Sequence, residues 1–268
     1  MLPDIEFLNG KEDSKFDGVH RATDDADIYF VCNQTNREEK IEIAFRVAGK
    51  QPELWDPVSS EVRDAAAFTE KDGRTILPVT FAPYGSMFVI FRKPAAAATA
   101  KENFPALSPV QEIAGPWQVA FDPKWGGPAK AKFETLESWT ENSDEGIRNY
   151  SGTATYRTKF DVPSQITDLK SQILLDLGDV MNIAQVKLNG KDLGILWSPP
   201  FRVNAAGALK SGENELEVEV VNTWFNRVWY EQTKNPAVKF TQTNVKIKPN
   251  QQPLPSGLLG PVRLMAEK

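Results

Sequence analysis

An all-β chain of two β-sandwich domains is what this sequence predicts, on three observations. Short apolar runs alternate with polar residues at a period of two. Turn residues separate them, and stripes with the 3.6-residue period of a helix are nearly absent. A stretch of small residues divides the runs into two groups. It reads Pro94-Ala-Ala-Ala-Ala-Thr-Ala-Lys-Glu-Asn-Phe-Pro105-Ala106 and suits a linker better than a short helix, because no apolar stripe accompanies the alanines. The expected division is residues 1–94, a linker at 95–107, and 108–268.

In the first segment Ile28-Tyr29-Phe30-Val31 is a short apolar run. Ile41, Ile43, Phe45 and Val47 share one strand face, opposite Glu42 and Arg46. Lys71-Asp72-Gly73-Arg74 is a turn. Thr75 to Phe81 contains Pro78, which cannot donate to a ladder, so an edge strand or two pieces is expected. Met87-Phe88-Val89-Ile90-Phe91 closes the segment. In the second, Trp117 to Phe121 alternates, and Tyr156, Thr158, Phe160 and Val162 share a face. Ile173 to Leu177 reads as a buried strand. Asn189-Gly190, between Val186-Lys187-Leu188 and Lys191-Asp192-Leu193, signals a type I′ hairpin, whose two turn positions both need positive φ. Leu216 to Val220 alternates after Ser211-Gly212-Glu213-Asn214, and Val262-Arg263-Leu264 supplies a last strand. Such short strands with turns between them make a sandwich or jelly roll, the second domain being the jelly roll.

Composition narrows the chemistry. The 268 residues are 41% hydrophobic and 25% charged, enough for a sizeable core. A net charge of −5 argues against a nucleic-acid binder or a basic membrane-surface protein, and no apolar run reaches the roughly 20 residues that span a bilayer. The amino-terminal residues carry no signal-peptide pattern. One cysteine, Cys32, rules out an internal disulfide and reads as a small buried hydrophobe; one histidine, His20, rules out a multi-histidine metal site. No phosphate-cradling glycine loop occurs. Asp24-Asp25-Ala26-Asp27 suits a turn, with aspartates capping backbone amides, better than a cation site, so neither a metal nor another cofactor is predicted. Glu215, Glu217 and Glu219 alternate on one strand face and read as solvated. Asn33-Gln34-Thr35 and Asn149-Tyr150-Ser151 are formal glycosylation sequons.

What remains open is carboxylate chemistry and aromatic, amide-rich recognition. Six of the seven tryptophans lie in the second segment, several in expected loops. Trp125 sits in Lys124-Trp-Gly-Gly-Pro128, and Trp197 leaves the hairpin through Ser198-Pro199-Pro200. Asn222, Trp224, Asn226 and Arg227 follow a strand directly. An indole packs against the C–H face of a pyranose, while amide and guanidinium groups bond its hydroxyls. Trp125, Trp197, Asn222, Trp224, Asn226 and Arg227 are therefore the candidate carbohydrate-binding residues. The competing reading makes these tryptophans core plugs at the sandwich ends, and it is stronger for Trp117 and Trp139.

The second segment's motifs carry a resemblance: Gly115-Pro116-Trp117, Tyr150-Ser-Gly-Thr-Ala-Thr-Tyr156, Leu175-Asp-Leu-Gly-Asp-Val180, Ala184-Gln-Val-Lys-Leu-Asn-Gly190 and Leu193-Gly-Ile-Leu-Trp-Ser-Pro-Pro-Phe201. Gly212-Glu-Asn214 and Val220-Val-Asn222 follow. The series resembles the galactose-binding-like β-sandwich of glycoside hydrolase family 2. More closely it resembles the carboxy-terminal portion of glycoside hydrolase family 106, the α-L-rhamnosidases. In the first segment His20-Arg21, Asp27-Ile-Tyr-Phe-Val31, Asn33, Pro52-Glu-Leu-Trp-Asp-Pro57, Gly85-Ser86 and Phe91-Arg92 resemble the β-domain that precedes that sandwich.

The resemblance implies accessory domains without the family's catalytic (β/α)₈ barrel, which holds its carboxylates and its calcium-assisted site upstream; nothing here reads as eight βα units. It implies a carbohydrate partner, from plant or polysaccharide glycans, the upstream barrel as a partner if the chain is a fragment, and a periplasmic or secreted setting. His20-Arg21 would contact the barrel or substrate, or be ordinary surface. The leading expectation is a non-catalytic accessory portion of a hydrolase acting on rhamnose-containing glycans. A free-standing carbohydrate-binding protein is the second expectation, an independent glycosidase the third.

Overall fold

The computed structural model describes residues 3–97, 102–167, 172–248 and 250–267, and everything below refers to them. The chain divides into two compact units, Met1–Ala106 and Leu107–Lys268.

The first unit contains β1 (Ile5–Leu8), β2 (Phe16–Ala22), β3 (Asp27–Asn33), β4 (Glu39–Phe45), β5 (Lys50–Trp55), β6 (Val62–Asp64), β7 (Thr69–Lys71), β8 (Arg74–Phe81) and β9 (Ser86–Pro94). They form two sheets, β1-β4-β8-β7 and β2-β3-β9-β5-β6. Tyr29, Val31 and Phe91 from one sheet meet Ile43, Phe45, Leu77 and Phe81 from the other in one core. The turn before β8 uses Asp72 at φ 52° and Gly73 at φ 74°, the left-handed pair of a tight hairpin.

Strand β8 is a single strand through Pro78. It pairs with β4 from Thr75 to Phe81, but β7 covers only Arg74 to Ile76. Pro78 thus lies beyond its outer neighbour, where a missing N–H breaks no ladder bond. Asn103 closes that edge: its amide donates to the carbonyls of Pro78 (3.0 Å) and Ala67 (2.7 Å) and accepts from the Ala67 N–H. Of the expected linker, 98–101 lie outside the described residues, while Asn103 is buried and Phe104 packs on the first core. Cys32 is half-buried on the outer face of β3, because the inward positions of that strand are Tyr29, Val31 and Asn33.

The second unit contains β10 (Leu107–Glu112), β11 (Trp117–Phe121), β12 (Ala131–Phe133), α1 (Glu145–Arg148), β13 (Thr153–Val162), α2 (Ser164–Thr167), β14 (Ile173–Asp176), β15 (Asp179–Met181), β16 (Ile183–Leu188), β17 (Lys191–Leu196), β18 (Arg202–Asn204), β19 (Gly212–Val221), α3 (Phe225–Lys234), β20 (Gly257–Gly260) and β21 (Arg263–Glu267). A six-stranded sheet, β12-β11-β13-β19-β16-β17, faces a four-stranded one, β10-β21-β14-β18; β15 and β20 form a small third pair. Tyr156, Val186, Leu216 and Val218 from the large sheet meet Ile173, Leu175 and Leu264 from the other. Each such fully buried aliphatic side chain is worth about 1.5–3 kcal/mol over its exposed state.

The hairpin is as its sequence reads: Asn189 at φ 53° and Gly190 at φ 78° join β16 to β17. Trp117 and Trp139 are fully buried, and the Trp139 indole N–H donates to the Tyr156 hydroxyl. On the outer face Glu217 is not free in solvent. It bonds Arg157 and Lys187, and these neighbours hold its carboxyl below the usual range although burial pushes it up.

Candidate aromatic groove at one end of the second sandwich

Register brings the candidate residues to one end of the six-stranded sheet. Phe121 at the end of β11 pairs with Ala154 near the start of β13; Val221 at the end of β19 pairs with Thr153 and with Ile183 at the start of β16. Leu196 at the end of β17 pairs with Ala184. The segments bearing Trp125, Trp197 and Trp224 therefore leave the sheet at the same end.

Beyond β19 the chain forms helix α3, where the sequence reading expects a loop. Trp224 sits at its N-cap, and Phe225, Val228 and Trp229 recur at the three- and four-residue spacing that would have marked a helix. A buried pair of asparagines fixes the helix to the sandwich. The Asn222 side chain accepts from Gly152 N–H (2.9 Å) and donates to Tyr150 O (3.0 Å) and Ser256 Oγ (3.2 Å). The Asn226 side chain accepts from Leu254 N–H (2.8 Å) and donates to Leu254 O (2.7 Å) and Ser256 Oγ (2.8 Å). Both amides are spent inside the protein and turned away from any ligand.

Residues 235–256, without helix or strand, are tied along α3 by side chains. Glu231, itself buried, accepts the N–H groups of Phe240 (2.7 Å) and Thr241 (3.1 Å) and the Thr241 hydroxyl. Gln232 donates to Val245 O and accepts from Ile247 N–H, and the Trp229 indole donates to Gln251 O. This arrangement presents Phe240 to Ile247 opposite the helix, and sequence reasoning missed it because no local pattern announces a strap with no regular structure.

Between helix and strap lies a groove of about 490 Å³. Trp125, Trp224, Phe225, Val228 and Phe240 form its apolar wall, and Thr241, Gln242 and Thr243 contribute its polar atoms. Trp224 meets Trp125 edge-on, with ring centroids 5.1 Å apart at 86°, and Trp125 meets Phe240 at 6.4 Å and 77°. Trp224 stays 39% exposed. Trp125 is set by a short 3₁₀ turn, Pro123–Trp125, capped by the Asp122 carboxylate and ended by Gly126 at φ 84°. A Cβ at Gly126 would lie 3.0 Å from Phe240 and 3.2 Å from the Arg227 guanidinium, so only glycine fits there without a shift.

Arg227 lies behind the groove. It is buried, donates to Trp125 O (3.0 Å), and stands 4.9 Å from the Phe240 ring centre. Burial pushes its pKa down, against the opposing charge of Glu231. It braces the wall. Trp197 is 57% exposed beside Ile195 but does not line the groove. Of the six candidates, Trp125 and Trp224 thus share one surface, Asn222, Asn226 and Arg227 support it from inside, and Trp197 stands apart. No acid lines the groove.

Elsewhere, His20 stacks on Tyr29 with ring centroids 4.1 Å apart and lies 3.2 Å from Asp27, which also takes Lys50 at 3.0 Å. Asp25 accepts the Thr23 hydroxyl. Asp27 is thus engaged by Lys50 and the His20 ring, and Asp25 by a hydroxyl of the same turn. Asn33 and Asn149, the sequon asparagines, are buried.

Comparison with known proteins places this geometry. Residues 1–70 match the family model for α-L-rhamnosidase of glycoside hydrolase family 106. Residues 137–253 match that of the glycosyl hydrolase 2 galactose-binding domain-like sandwich. A solved structure of a rhamnosidase from Novosphingobium sp. PP1Y is 36% identical and superposes with a TM-score of 0.91 over 99% of this chain and 25% of its own. A putative β-glucuronidase of Formosa agariphila is 36% identical over 177 residues, 57% of this chain and 15% of that protein. The chain thus spans about a quarter or less of these relatives.

Proposed function

We propose that this chain, a family 106-type region of a glycoside hydrolase with a galactose-binding-like second unit, is a non-catalytic portion that contacts rhamnose-containing glycans. The groove walled by Trp125 and Trp224 carries the reading. Its exposed indole edge and face can meet the apolar side of a sugar ring, and Gln242 and Thr243 stand exposed on the rim to meet hydroxyls. Glycoside hydrolysis needs two carboxylates across the scissile bond, about 5 to 9.5 Å apart. The groove has none, and Glu231, on the helix that walls it, already accepts three hydrogen bonds. Stacking on one indole is worth about 1 kcal/mol. The expected affinity is millimolar, about −4 kcal/mol. The test is a calorimetric and NMR titration of the pure chain with rhamnose-terminated oligosaccharides, beside an assay with p-nitrophenyl α-L-rhamnoside. Saturable weak binding without nitrophenol release is expected. A flat titration removes the binding role, and turnover abolished by an Asp or Glu substitution in this chain removes the non-catalytic one.

A further inference from the structure

One row across the outer face of the first unit's five-stranded sheet is apolar where a sandwich normally turns polar residues to water, with Arg21, Glu53, Asp64 and Arg92 on the same face beside it. The cause is visible in sequence: Ile28-Tyr-Phe-Val31 and Met87-Phe-Val-Ile-Phe91 are continuous runs, which place apolar groups on both faces of β3 and β9. Tyr29, Val31, Met87, Val89 and Phe91 fill the core. The alternate residues face outward, and the register lines them up across all five strands: Val19 with Phe30, Phe30 with Phe88, Phe88 with Trp55, Trp55 with Val62. Val19 is 56% and Val62 53% exposed at the two edges. Beside this row, Glu53 is buried between a bidentate Arg92 (3.0 and 2.9 Å) and the Trp55 indole N–H (3.1 Å), and Arg92 lies over the Trp55 ring at 5.3 Å.

We infer that this face is where another domain of a longer glycoside hydrolase chain packs, an inference that rests on reading the chain as an accessory region. Three observations choose that occupant. First, this region covers 25% of the Novosphingobium rhamnosidase, so three quarters of that chain lies outside it. Second, one apolar row across five strands about 4.8 Å apart outlines a patch on the order of 100–200 Å². A free dimer buries about 800 Å² per partner, whereas a tethered neighbour sits at an effective concentration near millimolar and needs less. Third, the surface is unsuited to a sugar: Arg92 covers a face of Trp55, its N–H is spent on Glu53, and Phe30 and Phe88 are tilted by 57°, which leaves no flat platform. A fixed Trp–Arg pair beside an apolar row is the composition of a protein interface.

The test exchanges the matched quarter of the full-length Novosphingobium rhamnosidase for the 268-residue chain, and compares side-chain protection by hydroxyl-radical labelling in that full-length chain with the 268-residue chain alone. Phe30, Trp55 and Phe88 should become protected, and Val19→Lys and Val62→Lys, at exposed edge positions, should weaken that protection about tenfold without moving the melting temperature of the chain alone. Absence of protection in the exchanged full-length chain, or protection confined to other residues, overturns the inference. So does a dimer in sedimentation that Val62→Lys dissociates, or protection of the same residues by a rhamno-oligosaccharide. Failure of glycan binding at Trp224 would defeat the functional reading and leave this labelling result standing.

Discussion

Asn226 shows how much a single buried amide can hold. Its side chain makes three hydrogen bonds to Leu254 and Ser256, joining helix α3 to the chain that returns to β20. Leaving those partners unpaired costs about 1–3 kcal/mol. Asn226→Ala should lower the melting temperature of the second unit by about 2–8 °C, measured by calorimetry. An unchanged melt would mean that the latch adds nothing. Glu53 makes a case in pH. Burial raises its pKa, but hydrogen bonds from Arg92 and Trp55 and the charges of Arg92 and Lys93 outweigh burial and hold the carboxyl below its ordinary value of 4.5. A depressed folded pKa gives stability that is complete above the unfolded value and lost as pH falls through the folded one. Melting temperatures from pH 6 to 3 should therefore fall less steeply below about pH 4.5 in Glu53→Gln than in the unmodified chain. Parallel curves would assign the acid sensitivity to other carboxylates.

At the scale of elements, helix α3 and the strap behave as one device. The strap has no ladder of its own, so its order depends on Glu231, Gln232 and Trp229. Glu231→Ala should raise amide exchange at Phe240 and Thr241, with β13 and β19 still protected, because those strands pair over ten residues in the core. Uniform loss of protection would mean that the strap is part of the global fold. The elements also divide by how legible they are. The Asn189-Gly190 hairpin was readable because its turn chemistry is local, and the strands because alternation is local. Helix α3 was obscured by its own composition: asparagine, threonine and tryptophan at its start read as a loop, and its apolar positions are few. Pro78 was half legible, since the sequence shows a strand that cannot sit between two partners but not where β7 stops. In the site, Trp125 and Trp224 could be singled out as loop aromatics. That Asn222 and Asn226 point inward depends on Ser256, Leu254 and Tyr150, tens of residues away, and no local pattern carries it.

The whole molecule comprises two sandwich units with different surfaces. The first carries an apolar row across its five-stranded sheet, and the second an aromatic groove open to solvent at one end. The relatives' activities belong to chains about four times as long. The most direct measurement is a paired one on Trp224→Ala: titration with a rhamnose-terminated oligosaccharide, and a thermal melt of the same sample. Trp224 is 39% exposed and meets Trp125 only edge-on, so binding should vanish while the melting temperature moves by no more than about 2 °C, the shift for under about 1 kcal/mol. Retained affinity, or a loss of the roughly 3 kcal/mol or more that removing a buried aromatic anchor costs, would contradict a sugar-facing groove.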